Sequence, residues 1–136
     1  MPQITGLHHV ILPVRDVIQA GDWFERVLGF SCLLIREEED QVTTMVVRHP
    51  AGVLLQLRHA PELAEALEMA RTGMTVLSLS VTDRPALAQW ESRLAELGLE
   101  HSQPYQAHLG WALHVTGPDG LGIQLHTHGD ISDDGP

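Results

Sequence analysis

Alternation of apolar and polar positions switches period several times along the chain, and the switches recur. "LHHVILPV" (7–14) is rich in β-forming residues. "RDVIQAGDWFERVLGF" (15–30) instead spaces Val17, Ile18, Phe24, Val27 and Leu28 so that one helical face is apolar, and Gly29 supplies a helix stop. "FSCLLIREE", "QVTTMVVRH" (41–49) and "GVLLQLRHA" (52–60) read as three further strands, the last two joined by a tight turn carrying Pro50 and Gly52. A helical, linker-like stretch follows from about Pro61 to Arg71. The order then restarts: "TVLSLSV" (75–81) predicts a strand, and "DRPALAQWESRLAELGL" (83–99) predicts a helix with Leu87, Trp90, Leu94 and Leu97 on one side. A strand is expected around 100–105, then "GWALHVTG" (110–117), a "GPDG" turn and "LGIQLHTH" (121–128).

The chain therefore reads as βαβββ twice. "PAGVLLQL" (50–57) returns as "PDGLGIQL" (118–125) with Pro, Gly, Gln and the last Leu in register. Asp16 and Asp83 stand 67 apart, Gln56 and Gln124 stand 68 apart, and Gly29 and Gly98 stand 69 apart. Offsets that close leave room only for small insertions, so the repeat spans 4–60 and 74–128. With 136 residues and 43% hydrophobic side chains, one compact domain (1–136) is the expectation. Each four-stranded module covers one sheet face with a helix and leaves the other bare. Pairing the modules edge to edge gives an α+β fold with a curved, cup-shaped mixed sheet, helices on the convex side and a hollow for a small molecule.

Charge narrows the partners. Eighteen acidic against eight basic residues leave a net charge of −10, which repels phosphate backbones and anionic lipid, so neither nucleic acid nor membrane is expected. No apolar run reaches the roughly 20 residues of a bilayer span and the N-terminus lacks a signal-type stretch, so a cytoplasmic location is expected. The single Cys32 reads as a small buried strand residue, and "GDISDDGP" (129–136) as an acidic, disordered tail. "REEED" (36–40) reads as a solvated hairpin that, with the acidic balance, favours a cationic ligand.

"GLHHVILPVRD...WFERVLGF", the "GPDG" hairpin followed by "IQL", and the tandem βαβββ order resemble the vicinal oxygen chelate superfamily. That group includes glyoxalase I, extradiol dioxygenases, fosfomycin resistance enzymes, epimerases and bleomycin resistance proteins. The resemblance runs from about residue 4 to 128 and implies a site at equivalent points of both modules, on the first and last strands. Here those points are His9, Gln56, Val76 and Gln124. Valine has no donor atom, and one imidazole with two neutral amides (metal: His9, Gln56, Gln124) leaves a divalent ion's charge without an anionic ligand. The expectation is no cofactor, or a weakly bound divalent metal.

Strand alternation carries Arg58 inward with Gln56, and His126 inward with Gln124. The resemblance also directs His114, on the strand before the turn, toward the cavity as a substrate contact and the candidate catalytic group. Trp111 falls on the face opposite His114, yet its glycine-flanked setting suits a cavity mouth or dimer seam. His8 is expected to face the helix layer, and His49, His59, His101 and His108 show no constellation. Trp23 and Trp90 fit helix packing. Two functions follow: a binding protein that sequesters a hydrophobic or cationic small molecule, as in the bleomycin resistance branch, or an enzyme. The enzyme would be a metal-dependent lyase, isomerase or dioxygenase using His9 with Gln56 and Gln124, or a metal-free acid–base catalyst using His9 and His114. A homodimer is expected, because pairing modules across a twofold buries more sheet edge.

Overall fold

The computed structural model describes residues 1–70 and 75–129. Contacts divide the chain into two compact units, Met1–Met69 and Ala70–Pro136. In the first, β1 (Val10–Val14), α1 (Val17–Leu28), β2 (Ser31–Glu38), β3 (Gln41–Arg48), β4 (Leu54–His59) and α2 (Pro61–Ala70) follow in order. The second holds β5 (Leu77–Val81), α3 (Arg84–Glu96), β6 (Tyr105–Ala107), β7 (Gly110–Thr116) and β8 (Gly122–Thr127), with a 3₁₀ turn at Pro118–Gly120. The expected tandem βαβββ order is present.

Each unit forms its own open four-stranded sheet, in the orders β1-β4-β3-β2 and β5-β8-β7-β6. The permutation is the same in both. First and last strands of each module are parallel, and the remaining pairs are antiparallel. Asp16 begins α1 by accepting a 3.0 Å hydrogen bond from the Gln19 backbone N–H, and Asp83 begins α3 by accepting one of 3.0 Å from Ala86 N–H. α1 ends at Gly29, whose φ of +81° is in the left-handed region that favours glycine.

In the first module α1 buries Val17, Ala20, Gly21, Phe24, Val27 and Leu28. They lie over Leu12, Val14, Met45, Val47, Leu55 and Leu57 on the sheet, all at most 6% exposed. Phe24, with its ring edge-on to Phe30 at 5.4 Å, is fully buried. That burial contributes about 2–3 kcal/mol before entropy is subtracted. In the second module Leu87 and Leu94 of α3 are fully buried, as are Leu113, Val115 and Ile123 of the sheet.

Several expectations move. β1 starts at Val10, so Leu7, His8 and His9 precede it and are exposed, and His8 does not face the helix layer. Ile18 is 48% exposed, because Ala20 and Gly21 take the buried face of α1. Cys32 is exposed on the edge strand β2, all of whose residues are exposed. The strand expected at 100–105 is β6, three residues long, preceded by an isolated bridge between His101 and Val115. "REEED" ends β2 and makes the hairpin turn at Glu39 and Asp40, with φ of +51° and +63°. Arg71 and residues 130–136 of the tail lie outside the described residues. No helix among the described residues is long and apolar enough to cross a membrane.

Candidate functional site

Period-two alternation in β5 and β8 makes the second module two-faced. Leu77, Ile123 and Leu125 go under α3, while Ser78, Ser80, Gln124 and His126 stand on the bare face. The register aligns them: Ser78 pairs with Gln124 and Ser80 with His126 on one side of β8, and His114 with Gln124 and Ala112 with His126 on the other. Tyr105 of β6 is opposite Ala112. Sequence-selected Gln124, His114 and His126 therefore share one surface.

A pocket of about 460 Å³ opens on that surface. Ser78, Ser80, Gln124 and His126 line it, and the β6–β7 hairpin (Ala107, His108, Leu109), Thr127 at the end of β8, and His128 and Gly129 after it complete it. His108, for which the sequence suggested no constellation, is part of this lining. The Ser78 hydroxyl donates to Gln124 Oε1 at 2.9 Å, and Gln124 Nε2 donates to Tyr105 Oη at 2.9 Å. His126 Nδ1 is held by the Thr127 carbonyl, a contact in which that nitrogen is the donor. His114 is half-buried, and its strand is pinned where the His114 N–H donates to Ser102 Oγ at 2.9 Å. Gly110 lets the hairpin close, since its α-carbon sits against the backbone of Thr127 and Gly129.

Trp111 stands on the other face, with Leu113 and Val115. The Arg84 guanidinium at the start of α3 lies 3.7 Å from its ring centroid. In the first module Gln56 is half-buried between Ile11 and Val46 in register, and Arg58 is exposed on the same face. His9 lies one residue ahead of β1, exposed, with Nδ1 2.8 Å from His8 Nδ1. Sequence reasoning missed Ser78, Ser80, Tyr105 and Leu109. The serines had a signal in "LSLSV", whose polar positions alternate with leucines.

A metal implied by the resemblance can be tested against the second module. Val76 brings no donor atom, and the Gln124 carbonyl already accepts the Ser78 proton while its nitrogen is tied to Tyr105. No group of three or more His, Cys, Asp or Glu side chains suited to a metal occurs among the described residues. The second module's residues do not fit a divalent ion.

Comparison with known proteins bears on the same fold. A family model described as Glyoxalase/Bleomycin resistance protein/Dioxygenase superfamily matches residues 6–125. No curated protein matches the chain. Among solved structures, a point mutant of the genomically encoded fosfomycin resistance protein FosX from Listeria monocytogenes, complexed with Mn(II) and 1S,2S-dihydroxypropylphosphonic acid, superposes with a TM-score of 0.75. It is 14% identical, over 98% of this chain and 100% of that one. A glyoxylase/bleomycin resistance protein/dioxygenase domain from Frankia sp. EAN1pec gives a TM-score of 0.72 at 20% identity, covering 94% and 95%. TnmS3, an antibiotic binding protein from Streptomyces sp. CB03234, gives 0.65 at 22% identity, covering 93% and 99%. At these identities the likeness is one of fold.

Proposed function

Because the chain belongs to the Glyoxalase/Bleomycin resistance protein/Dioxygenase superfamily, we propose that it is a small-molecule-binding protein that sequesters a hydrophobic or cationic ligand, in the manner of an antibiotic resistance protein. The pocket on the bare face of the second module carries this reading: about 460 Å³, with Ala107 and Leu109 beside Ser78, Ser80, Gln124 and His126. A lining that sets Ala107 and Leu109 beside hydroxyl, amide and imidazole groups suits a small ligand, with burial supplying affinity and the polar groups orientation. The net charge of −10 adds attraction for a cation. TnmS3, a protein of the same fold, is itself described as antibiotic binding. His114 belongs to the proposed ligand surface as the partner of Gln124 in register. On the first module, Gln56 and Arg58 form a second proposed ligand-contacting face, with His9 ahead of it.

The protein is further proposed to act as a homodimer. Edge strand β2 leaves Leu33, Leu34 and Ile35 44–50% exposed, an apolar edge that pairing would cover. Sedimentation velocity on the full chain checks this, and a monomer at micromolar concentration refutes it.

The ligand experiment is a thermal-shift screen of the full chain with hydrophobic and cationic natural products, followed by mass spectrometry of the recovered ligand. At a hundredfold excess over Kd, binding adds about 2.7 kcal/mol of stability, a clear rise in Tm. Ser80→Trp fills the pocket and should abolish that rise. Ligand recovered chemically altered, or stabilisation untouched by Ser80→Trp, would overturn the reading.

A further inference from the structure

Three side chains from three strands form one hydrogen-bonded row across the bare face of the second module. Ser78 on β5 donates to the Gln124 carbonyl on β8, and the Gln124 amide donates to Tyr105 Oη on β6, both at 2.9 Å. Tyr105 is two strand spacings from β8, about 10 Å of sheet. Its reach across β7 depends on Ala112, opposite it in register and fully buried, where a larger side chain would stand in the way.

Donors and acceptors can be counted along the row. A hydroxyl carries one proton and an amide nitrogen carries two. The Ser78 proton is used, one Gln124 N–H is used, and Tyr105 acts as an acceptor. Among the described residues, the Tyr105 O–H proton and the second Gln124 N–H therefore have no acceptor. Tyr105 is 37% exposed, and Ser78 and Gln124 line the pocket. A half-turn of the amide would move the free hydroxyl proton to Ser78, so the row keeps one hydroxyl donor in either direction. Nothing in it is ionised. Two neutral donors, one on the pocket wall with Ala107 and Leu109 and one exposed beside it, match an oxygen acceptor on a largely apolar molecule.

We infer that the Ser78–Gln124–Tyr105 row is an oxygen-recognition element, with Tyr105 as the donor to a carbonyl-type oxygen of a neutral, mostly apolar ligand. The inference rests on the small-molecule-binding reading above and narrows its ligand class. It also assigns a reason for an amide at position 124. A carboxylate there only accepts, so it would draw the protons of both Ser78 and Tyr105 and leave none for the ligand.

The test uses fluorene and 9-fluorenone, which share a three-ring skeleton and differ by one carbonyl. Titrated into the full chain, 9-fluorenone should bind about tenfold more tightly than fluorene, the size of one well-made hydrogen bond. Tyr105→Phe keeps the ring over Ala112 and should bring the two affinities together. Gln124→Glu should do the same with the Tyr105 hydroxyl still present. Amide NMR spectra of both variants report whether the module remains folded, and fluorene affinity reports whether the pocket remains open. Equal binding of both probes by the unmodified protein overturns the oxygen-recognition role while leaving the binding function standing. Binding of neither overturns both. A carbonyl preference that survives Tyr105→Phe overturns the assignment of the donor.

Discussion

Gln56 and Gln124 occupy the same register point of two separate sheets. Each is the third residue of its module's last strand, each has as parallel partner the second residue of the first strand (Ile11 or Ser78), and each faces a residue of the preceding strand (Val46 or His114). The two modules have kept the amide and changed the residues beside it. In the first module its register partners are both apolar. In the second, Ser78 and Tyr105 hold both ends of the amide. Identical position with different neighbours gives different chemistry.

That equivalence predicts how a metal site could be built. Val76 precedes β5 on the face that carries Ser78, and Ser78 is the partner of Gln124. Val76→His with Gln124→Glu then puts an imidazole and a carboxylate on one surface. Titration with Ni(II) or Mn(II) should show affinity at least about tenfold above that of the unmodified protein. No gain would mean that side chains 76 and 124 do not converge.

The helix starts are predicted to be equivalent as well. Asp16→Ala and Asp83→Ala each remove one cap hydrogen bond, at about 1 kcal/mol each in denaturant unfolding. Asn at either position should restore most of that, since its carbonyl can accept the same N–H and only the favourable charge at the helix start is lost. A much larger cost at Asp16 than at Asp83 would count against the two helices being held alike.

Those aspartates also show why the doubling was legible in the chain. Caps, helix-ending glycines and the "PxG" hairpins depend on local backbone geometry, so their residue types recur wherever the geometry does, here at offsets of 67 to 69. The site was half legible. Gln124, His114 and His126 fall together because period-two alternation is local, and the same alternation contained Ser78 and Ser80. Tyr105 could not be read this way. Its strand is only three residues long, and its contact with Gln124 needs a small residue at position 112, on another strand, and a register that no local pattern encodes. Cys32 was misplaced for a related reason: its apolar neighbours look like core, but strand order puts them on the sheet's edge strand, where every residue is exposed.

Two glycines should respond differently to a methyl group. Gly52 has φ of +97° and open space around its α-carbon, so Gly52→Ala should cost about 1–2 kcal/mol from backbone strain alone. A Cβ at Gly110, where φ is +149°, would stand 2.6 Å from the Thr127 carbonyl oxygen and 2.9 Å from the Gly129 nitrogen. Backbone cannot step aside as a side chain can, so Gly110→Ala should cost about 2–4 kcal/mol. Because Gly110 closes the hairpin that walls the pocket, ligand affinity should fall with it. Equal unfolding midpoints for the two variants would contradict that packing.

Trp111 provides the sharpest test of which face binds. Arg84 is the first residue of α3, where a cation is disfavoured by the helix dipole, and the indole face beneath it offsets that cost by about 0.5–1 kcal/mol. The ring is thereby committed to the helix side of β7, away from Gln124 and the pocket. Trp111→Phe should lower stability modestly, and Arg84→Ala should do likewise. The double variant should lose less than the two losses combined, because Phe weakens and Ala removes the same contact. Ligand affinity should stay within about twofold in all three, whereas Ser80→Trp abolishes it. A tenfold loss of affinity in Trp111→Phe, with stability unchanged, would instead place the indole against the ligand and move the binding surface to the opposite face of the sheet.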